Sequence, residues 1–192
     1  KINKKVSIIP LITVFISSCI YVYSINHIYN DLLSQRHKDR IDIFLGKETD
    51  VMGIGYNLNQ SIIAIGSGGL SGKGFLQGTQ TKGKFVPRQH TDYIFSTIGE
   101  EWGFYGTSII IILFTSLILR ILFRAEQQKN IFGRSYAYGT ASLIFMHFFI
   151  NIGMSIGLVP TIGIPLPFIS YGGSSMYTFT ILVFVYLNID AN

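Results

Sequence analysis

The sequence predicts an all-α polytopic membrane protein of about four transmembrane helices, with a large extracellular loop containing short helices. Two observations carry this. Of 192 residues, 48% are hydrophobic and 13% charged, about half the charged share usual in soluble domains. Charge is also absent from long stretches: none lies between Val6 and Tyr29, none between Trp102 and Leu119, and none after Arg134 until Asp190. The same numbers exclude other classes. Disorder and collagen do not fit, and the single Cys19 allows neither an internal disulfide nor a zinc site. The 15 basic residues are scattered over loops and helix ends without a dense run interleaved with aromatics, so no nucleic-acid partner is expected.

Taken in order, residues 6–29 form the first span, long enough at 1.5 Å per residue to cross a hydrocarbon core of about 30 Å. The run exceeds a signal-peptide core and no Ala-x-Ala site follows, so it reads as a retained helix. Residues 30–101 form the external loop. The second span, 102–123, ends at Arg120 and Arg124, whose side chains can snorkel to the interface, and a cytoplasmic turn covers 124–135. The uncharged stretch beyond Arg134 is too long for one helix and is broken by Pro160, Pro165 and Pro167, giving spans at 136–158 and 171–187 around an extracellular turn at 159–170. Gly153 and Gly157 form a Gly-x-x-x-Gly pair that permits close helix packing, and His147 inside that span reads as a helix-to-helix hydrogen-bonding group. Lys1, Lys4 and Lys5, with Arg120, Arg124, Lys129 and Arg134, put their ends of the helices in the cytoplasm.

The loop has a polar stretch at 30–50, a glycine-rich stretch at 53–83 and a polar approach to the membrane at 84–101. Loops of this length are usually functional. The first stretch suits a short amphipathic helix at the interface. Within the second, Gly66 to Gly74 invites a nucleotide reading and fails it: a P-loop needs Gly where Ser67 stands and Ser or Thr where Gly74 stands, and Gly-x-Gly-x-x-Gly from Gly66 ends on Ser71. Two readings stay open there, a backbone offering N–H groups to an anion beside Lys73, and a plain flexible turn. In the third stretch Asp92 stands between Arg88, His90 and an apolar helix. It suits a general base toward a sugar hydroxyl or a ligand for a divalent cation opposite a phosphate, while the local sequence on its own favours Thr91 or Asp92 as a helix cap. Glu100 and Glu101, nearer the membrane, read as facing the headgroups.

Several ordered blocks make the pattern specific: Gly53-Ile54-Gly55-Tyr56, Gln60-Ser61, Ile65 to Gly69, Gly72-Lys73-Gly74, Gly78-Thr79-Gln80, His90 to Phe95, Glu100 to Phe104, Asn151 to Met154, Gly157 to Phe168 and Ser170 to Ser175. Together they resemble the RodA/FtsW (SEDS) family over nearly the whole chain, with Gly78-Thr79-Gln80 and His90-Thr91-Asp92 leaning to the RodA, elongation-type branch. The resemblance implies a peptidoglycan glycosyltransferase of the bacterial cytoplasmic membrane, polymerising lipid II on its outer face and releasing undecaprenyl diphosphate for cell-wall elongation and cell shape. It implies a class B penicillin-binding protein as partner, with lipid II and membrane lipid as the other contacts. The four spans then correspond to the last four of a ten-span fold, and the chain to the C-terminal part of such an enzyme. By position, Asp92 matches the family's essential extracellular aspartate, which favours catalysis over capping. No cofactor is certain; a divalent cation, Mg or Mn, is the candidate, at Asp92. Arg40, Lys73 and Arg88 are candidates to stabilise the diphosphate. Gln60, Ser67, His90, Thr91, Ser170 and Ser174 complete the expected substrate-binding set, although Ser170 to Ser175 serve as well for a helix start. The alternative functions are a lipid II flippase and a non-catalytic scaffold for the transpeptidase.

Overall fold

The computed structural model describes residues 16–18, 20–21, 23–24, 27–29, 33–46 and 53–191. The predicted first span therefore falls mostly outside the described residues. What is described is helical, with no strand: α1 (Gln35–Phe44), α2 (Ile54–Ser67), α3 (Thr79–Lys82), α4 (Ile94–Gln127), α5 (Ile131–Ser155) and α6 (Gly173–Ala191). Three of these, α4, α5 and α6, are long and apolar enough to cross a membrane.

The helices α4 and α5 are joined by three residues. Asn130 starts α5 by accepting the Phe132 N–H on its side chain at 3.0 Å, so the two helices run antiparallel as neighbours. Their seam follows helical spacing, with Phe114, Ile118, Ile121 and Ala125 from α4 against Ala137, Ala141 and Ile144 from α5. The two alanines let the backbones approach, as packing between lipid-bathed helices requires. Phe179 and Tyr186 bring α6 onto the same core. Asp190 then fixes its far end, accepting from Arg124 Nε at 3.0 Å and Gln128 Nε2 at 2.6 Å. Outward, α4 shows Ile109, Ile112, Leu113 and Phe123, and α6 shows Tyr177, Ile181 and Phe184, all exposed. Large apolar side chains on the outside, round a seam that alanines draw close, are the pattern of a bundle in lipid.

Several boundaries differ from those read in the sequence. The span expected from Trp102 is preceded by a further helical segment from Ile94, and the two together make the 34 residues of α4. Its extra N-terminal turns hide in the sequence because they carry Ser96, Thr97, Glu100 and Glu101. Gly103 divides it, at φ 62° and ψ −155°, a conformation open to glycine and foreign to a helix. Half of the glycine-rich stretch is helix as well. Along α2 and its C-cap the buried Ser61, Ala64 and Gly68 form one narrow face, and Ser61 Oγ donates to the Ser155 carbonyl of α5 at 2.8 Å. The expected Gly153/Gly157 stripe is split. A Cβ at Gly153 would lie 2.9 Å from Val159 Cγ2, while Gly157 at φ +79° ends α5, backing onto Leu58 and Ile62 of α2.

Candidate functional site

The loop places its charged residues in two clusters. The first is built round Glu100, whose side chain is 0% exposed. Its Oε1 accepts from Lys73 Nζ at 2.8 Å, Thr79 Oγ1 at 3.2 Å and the Gln80 N–H at 2.8 Å, and its Oε2 accepts from the Thr81 N–H at 2.9 Å. Ser67 Oγ stands at 3.5 Å. Both oxygens of the carboxylate meet donors, the condition under which a buried charge is tolerated. Neither acidic residue faces headgroups, since Glu101 is buried too.

Around this cluster the glycine run wraps the broken part of α4. Lys73 N and Gly74 N donate to the Glu100 and Glu101 carbonyls, both at 3.0 Å, and the N–H groups of Phe104 and Tyr105, freed by the break at Gly103, donate to Gly69 and Leu70. A Cβ on Gly68 would sit 1.9 Å from the Gly99 carbonyl oxygen, and one on Gly72 would sit 2.2 Å from that of Glu101. The run is packed on its own chain: the N–H groups of Gly68, Gly72, Lys73 and Gly74 are spent on backbone carbonyls, and Gly68 and Gly72 are there for close approach. Lys73, with 27% of its side chain exposed, is committed to Glu100 and to Thr79 Oγ1 at 2.7 Å.

The second cluster is built round Asp92, at the mouth of α4. Arg88 adopts the left-handed region, φ 54°, and its carbonyl accepts from the N–H groups of Thr91, Asp92 and Tyr93, folding 88–93 into a tight knot. The knot brings the Arg88 guanidinium 3.6 Å from Asp92 Oδ2; the aspartate is 16% exposed and the arginine 76%. Capping is not what Asp92 or Thr91 does. The N-cap of α4 is Tyr93, with no side-chain cap bond, and Thr91 Oγ1 donates instead to the Arg88 carbonyl at 3.3 Å. Tyr93 is buried beneath, and its hydroxyl is pushed up to about 12 by burial and by the Asp92 charge, against the opposing pull of Arg40 and Arg88.

Facing Asp92 is the Pro-rich connection between α5 and α6, with Gly163 at φ +81° and so close that a Cβ there would lie 3.2 Å from Oδ2. The connection is stitched to the aspartate's own segment. Three successive carbonyls, those of His90, Thr91 and Asp92, accept from Tyr171 N at 2.8 Å, Ser170 Oγ at 2.6 Å and Asn151 Nδ2 at 2.9 Å. On the connection itself, the Ile162 carbonyl accepts from Arg40 at 3.4 Å and that of Ile164 from Asn151 Nδ2 at 2.8 Å, while the Pro165 carbonyl meets His147 Nδ1 at 3.4 Å. The polar contact of His147 is thus with the connection, while its ring packs edge-on against Phe179 of α6 at 4.8 Å between centroids. Beside these stitches a hollow of about 550 Å³ opens between His90, Ile94, Phe168, Tyr171 and Met176.

Of the residues singled out in the sequence, Arg40, Arg88, His90, Thr91, Asp92 and Ser170 come together here. Ser67 and Lys73 belong to the Glu100 cluster, Gln60 lies half-buried on α2, and Ser174 is exposed in the first turn of α6. Ser170 is buried and acts as a clasp, donating to Thr91 and accepting from Leu166 N at 2.8 Å. Asn151 and Glu100 were not assigned to a site by the sequence. The signal for Asn151 was available, a polar side chain inside an otherwise apolar span.

A sequence profile of the FtsW/RodA/SpoVE family, described as "Cell cycle protein", matches residues 3–192. The chain belongs to this family. It is 45% identical over 145 residues to the peptidoglycan glycosyltransferase MrdB of Escherichia coli K12, covering 76% of the chain and 39% of that protein. It is 41% identical over 152 residues to the peptidoglycan glycosyltransferase RodA of Treponema pallidum, covering 79% and 35%, and 39% identical over 184 residues to MrdB of Helicobacter pylori J99, covering 95% and 45%. It thus spans roughly two fifths of the length of these relatives. The same fold occurs in a chain of the structure "Structural coordination of polymerization and crosslinking by a peptidoglycan synthase complex", at TM-score 0.71 and 24% identity over 94% of this chain and 48% of that one. As a member of the FtsW/RodA/SpoVE family with three helices able to cross a bilayer, the protein is an integral membrane protein.

Proposed function

We propose that this chain carries the catalytic face of a peptidoglycan glycosyltransferase that polymerises lipid II during cell-wall elongation. The observation that carries the reading is Asp92: a partly exposed carboxylate at the mouth of a membrane-crossing helix, held by its backbone and approached by arginine, in a chain whose relatives are named peptidoglycan glycosyltransferases. Asp92 takes the proton of the acceptor's sugar 4-hydroxyl. That oxygen attacks the donor's anomeric carbon, the bond from this carbon to the diphosphate oxygen breaks, and undecaprenyl diphosphate leaves with the electron pair, inverting the sugar. Arg88 is exposed enough to reach the leaving diphosphate, and Arg40 lies on the connection facing Asp92. Lys73, taken by Glu100, supplies fold rather than substrate charge.

The donors round Asp92 do not make a protein-held cation site. Among the described residues its ion-pair neighbour is Arg88, and no three His, Cys, Asp or Glu side chains gather. The basic residues Arg120, Arg124, Lys129 and Arg134 cluster at the end of the bundle away from Asp92, which supports an outward-facing site in the cytoplasmic membrane. A class B penicillin-binding protein, which cross-links the strands made here, is the partner that fits this activity.

The test is polymerisation of preformed lipid II in detergent by the full gene product, with and without Asp92→Asn. Glycan chains from the wild type and none from the variant are the expected result. Near-normal chains from Asp92→Asn would remove the assignment. No product in detergent, together with lipid II movement across liposomes, would favour the flippase.

A further inference from the structure

Asn151 is fully buried in α5, four residues short of its end. Its Nδ2 donates one hydrogen to the carbonyl of Asp92 at 2.9 Å and the other to the carbonyl of Ile164 at 2.8 Å. Its Oδ1 is buried with no partner among the described residues. One amide therefore bridges the residue that bears the carboxylate and the connection that faces it, segments 72 positions apart. The side chain meets two buried carbonyls and leaves its own Oδ1 unmet, an acceptor that costs about 1–3 kcal/mol when buried alone. What the amide supplies is geometry. Of the three donors that hold the carbonyls of residues 90–92, Asn151 alone comes from a membrane-crossing helix; the other two belong to the connection. It ties the position of Asp92 to the rigid bundle.

Given the transferase reading above, we propose that Asn151 is a positioning residue for the transfer: by holding the Asp92 and Ile164 backbones at a fixed separation, it aims the carboxylate at the acceptor hydroxyl without touching a reacting atom. The experiment compares three variants of the full gene product in the detergent assay with lipid II, each also measured for thermal unfolding. Asn151→Leu removes both donors, Asn151→Ser restores one hydroxyl donor without added bulk, and Ser61→Ala removes a different buried bond to the same end of α5, away from Asp92. Asn151→Leu is expected to lose roughly 10- to 100-fold in kcat while KM for lipid II stays within about threefold. Asn151→Ser falls between it and the wild type, and Ser61→Ala lowers the unfolding temperature with kcat kept. Should Asn151→Leu not fold, a fall in kcat for Asn151→Ser at the stability of Ser61→Ala carries the same support. Unchanged kcat in the Asn151 variants overturns the proposal, as does a fall that Ser61→Ala matches at equal loss of stability, or a rise in KM alone. Activity retained by Asp92→Asn overturns the catalytic role of Asp92 on which the proposal rests, absence of polymerisation by the wild type overturns the transferase reading, and an inactive Asp92→Asn beside fully active Asn151 variants removes only the positioning role.

Discussion

Glu100 and Asp92 stand eight residues apart on one stretch of chain and receive opposite treatment. Glu100 is sealed, with four donors within 3.2 Å, among them a lysine ammonium and two backbone N–H groups. Asp92 is held by its backbone while its carboxylate, among the described residues, meets only the Arg88 guanidinium at 3.6 Å, beyond hydrogen-bond length. A carboxylate whose two oxygens are both held by donors is a structural group. One whose backbone is fixed and whose oxygens are left available is suited to take a proton from a substrate. The contrast also explains the glycines. They let the 66–74 run close over the Glu100 cluster, whereas Gly163 leaves room in front of Asp92.

The contrast is broken most severely by Glu100→Gln, which leaves Lys73 and its neighbours round a neutral group. Removing one partner of a buried pair costs about 3–5 kcal/mol, and the expected outcome is a large fall in the unfolding temperature of the detergent-solubilised protein. Next is Gly68→Ala. Its backbone is ordinary αR, so the cost is steric alone, the new methyl meeting the Gly99 carbonyl, and about 3 kcal/mol is expected in the same measurement. Gly163→Ala sharpens the comparison from the other side. At φ +81° alanine costs roughly 1–2 kcal/mol, and its methyl crowds Asp92 Oδ2, so lipid II turnover is expected to fall further than stability does. Arg88→Gln is the smallest in stability, within about 0.5 kcal/mol because the arginine is largely in water, yet turnover is expected to drop as the leaving diphosphate loses a cation.

How much of this was legible in the sequence follows from the range of each interaction. The long helices declare themselves because lipid excludes charge, and the prolines mark where helices cannot continue. The prolines place a connection between α5 and α6, but its stitches to residues 90–92 join positions far apart in the chain and leave no periodic trace. The glycine run misled for a related reason. Positive φ and free N–H groups are common to an anion cradle and to a loop packed on its own chain, and only the tertiary partner, here the Glu100 and Glu101 carbonyls, distinguishes them. Lys73 and Glu100 are 27 residues apart with no motif between them, so a basic residue in a glycine run looked like a ligand for phosphate. Around Asp92 the local residues left capping and chemistry open, and the family blocks supplied the weight that spacing lacked.

The central claim is that one carboxylate holds the fold and the other performs the transfer. It is tested most directly by measuring, on the same preparations, the unfolding temperature and the lipid II polymerisation rate of Asp92→Asn and Glu100→Gln. Asp92→Asn should unfold within a few degrees of the wild type, its carboxylate making no short bond, and yield no glycan chains; Glu100→Gln should unfold many degrees lower. An Asp92→Asn protein that polymerises normally, or a Glu100→Gln protein as stable as the wild type, would contradict the account.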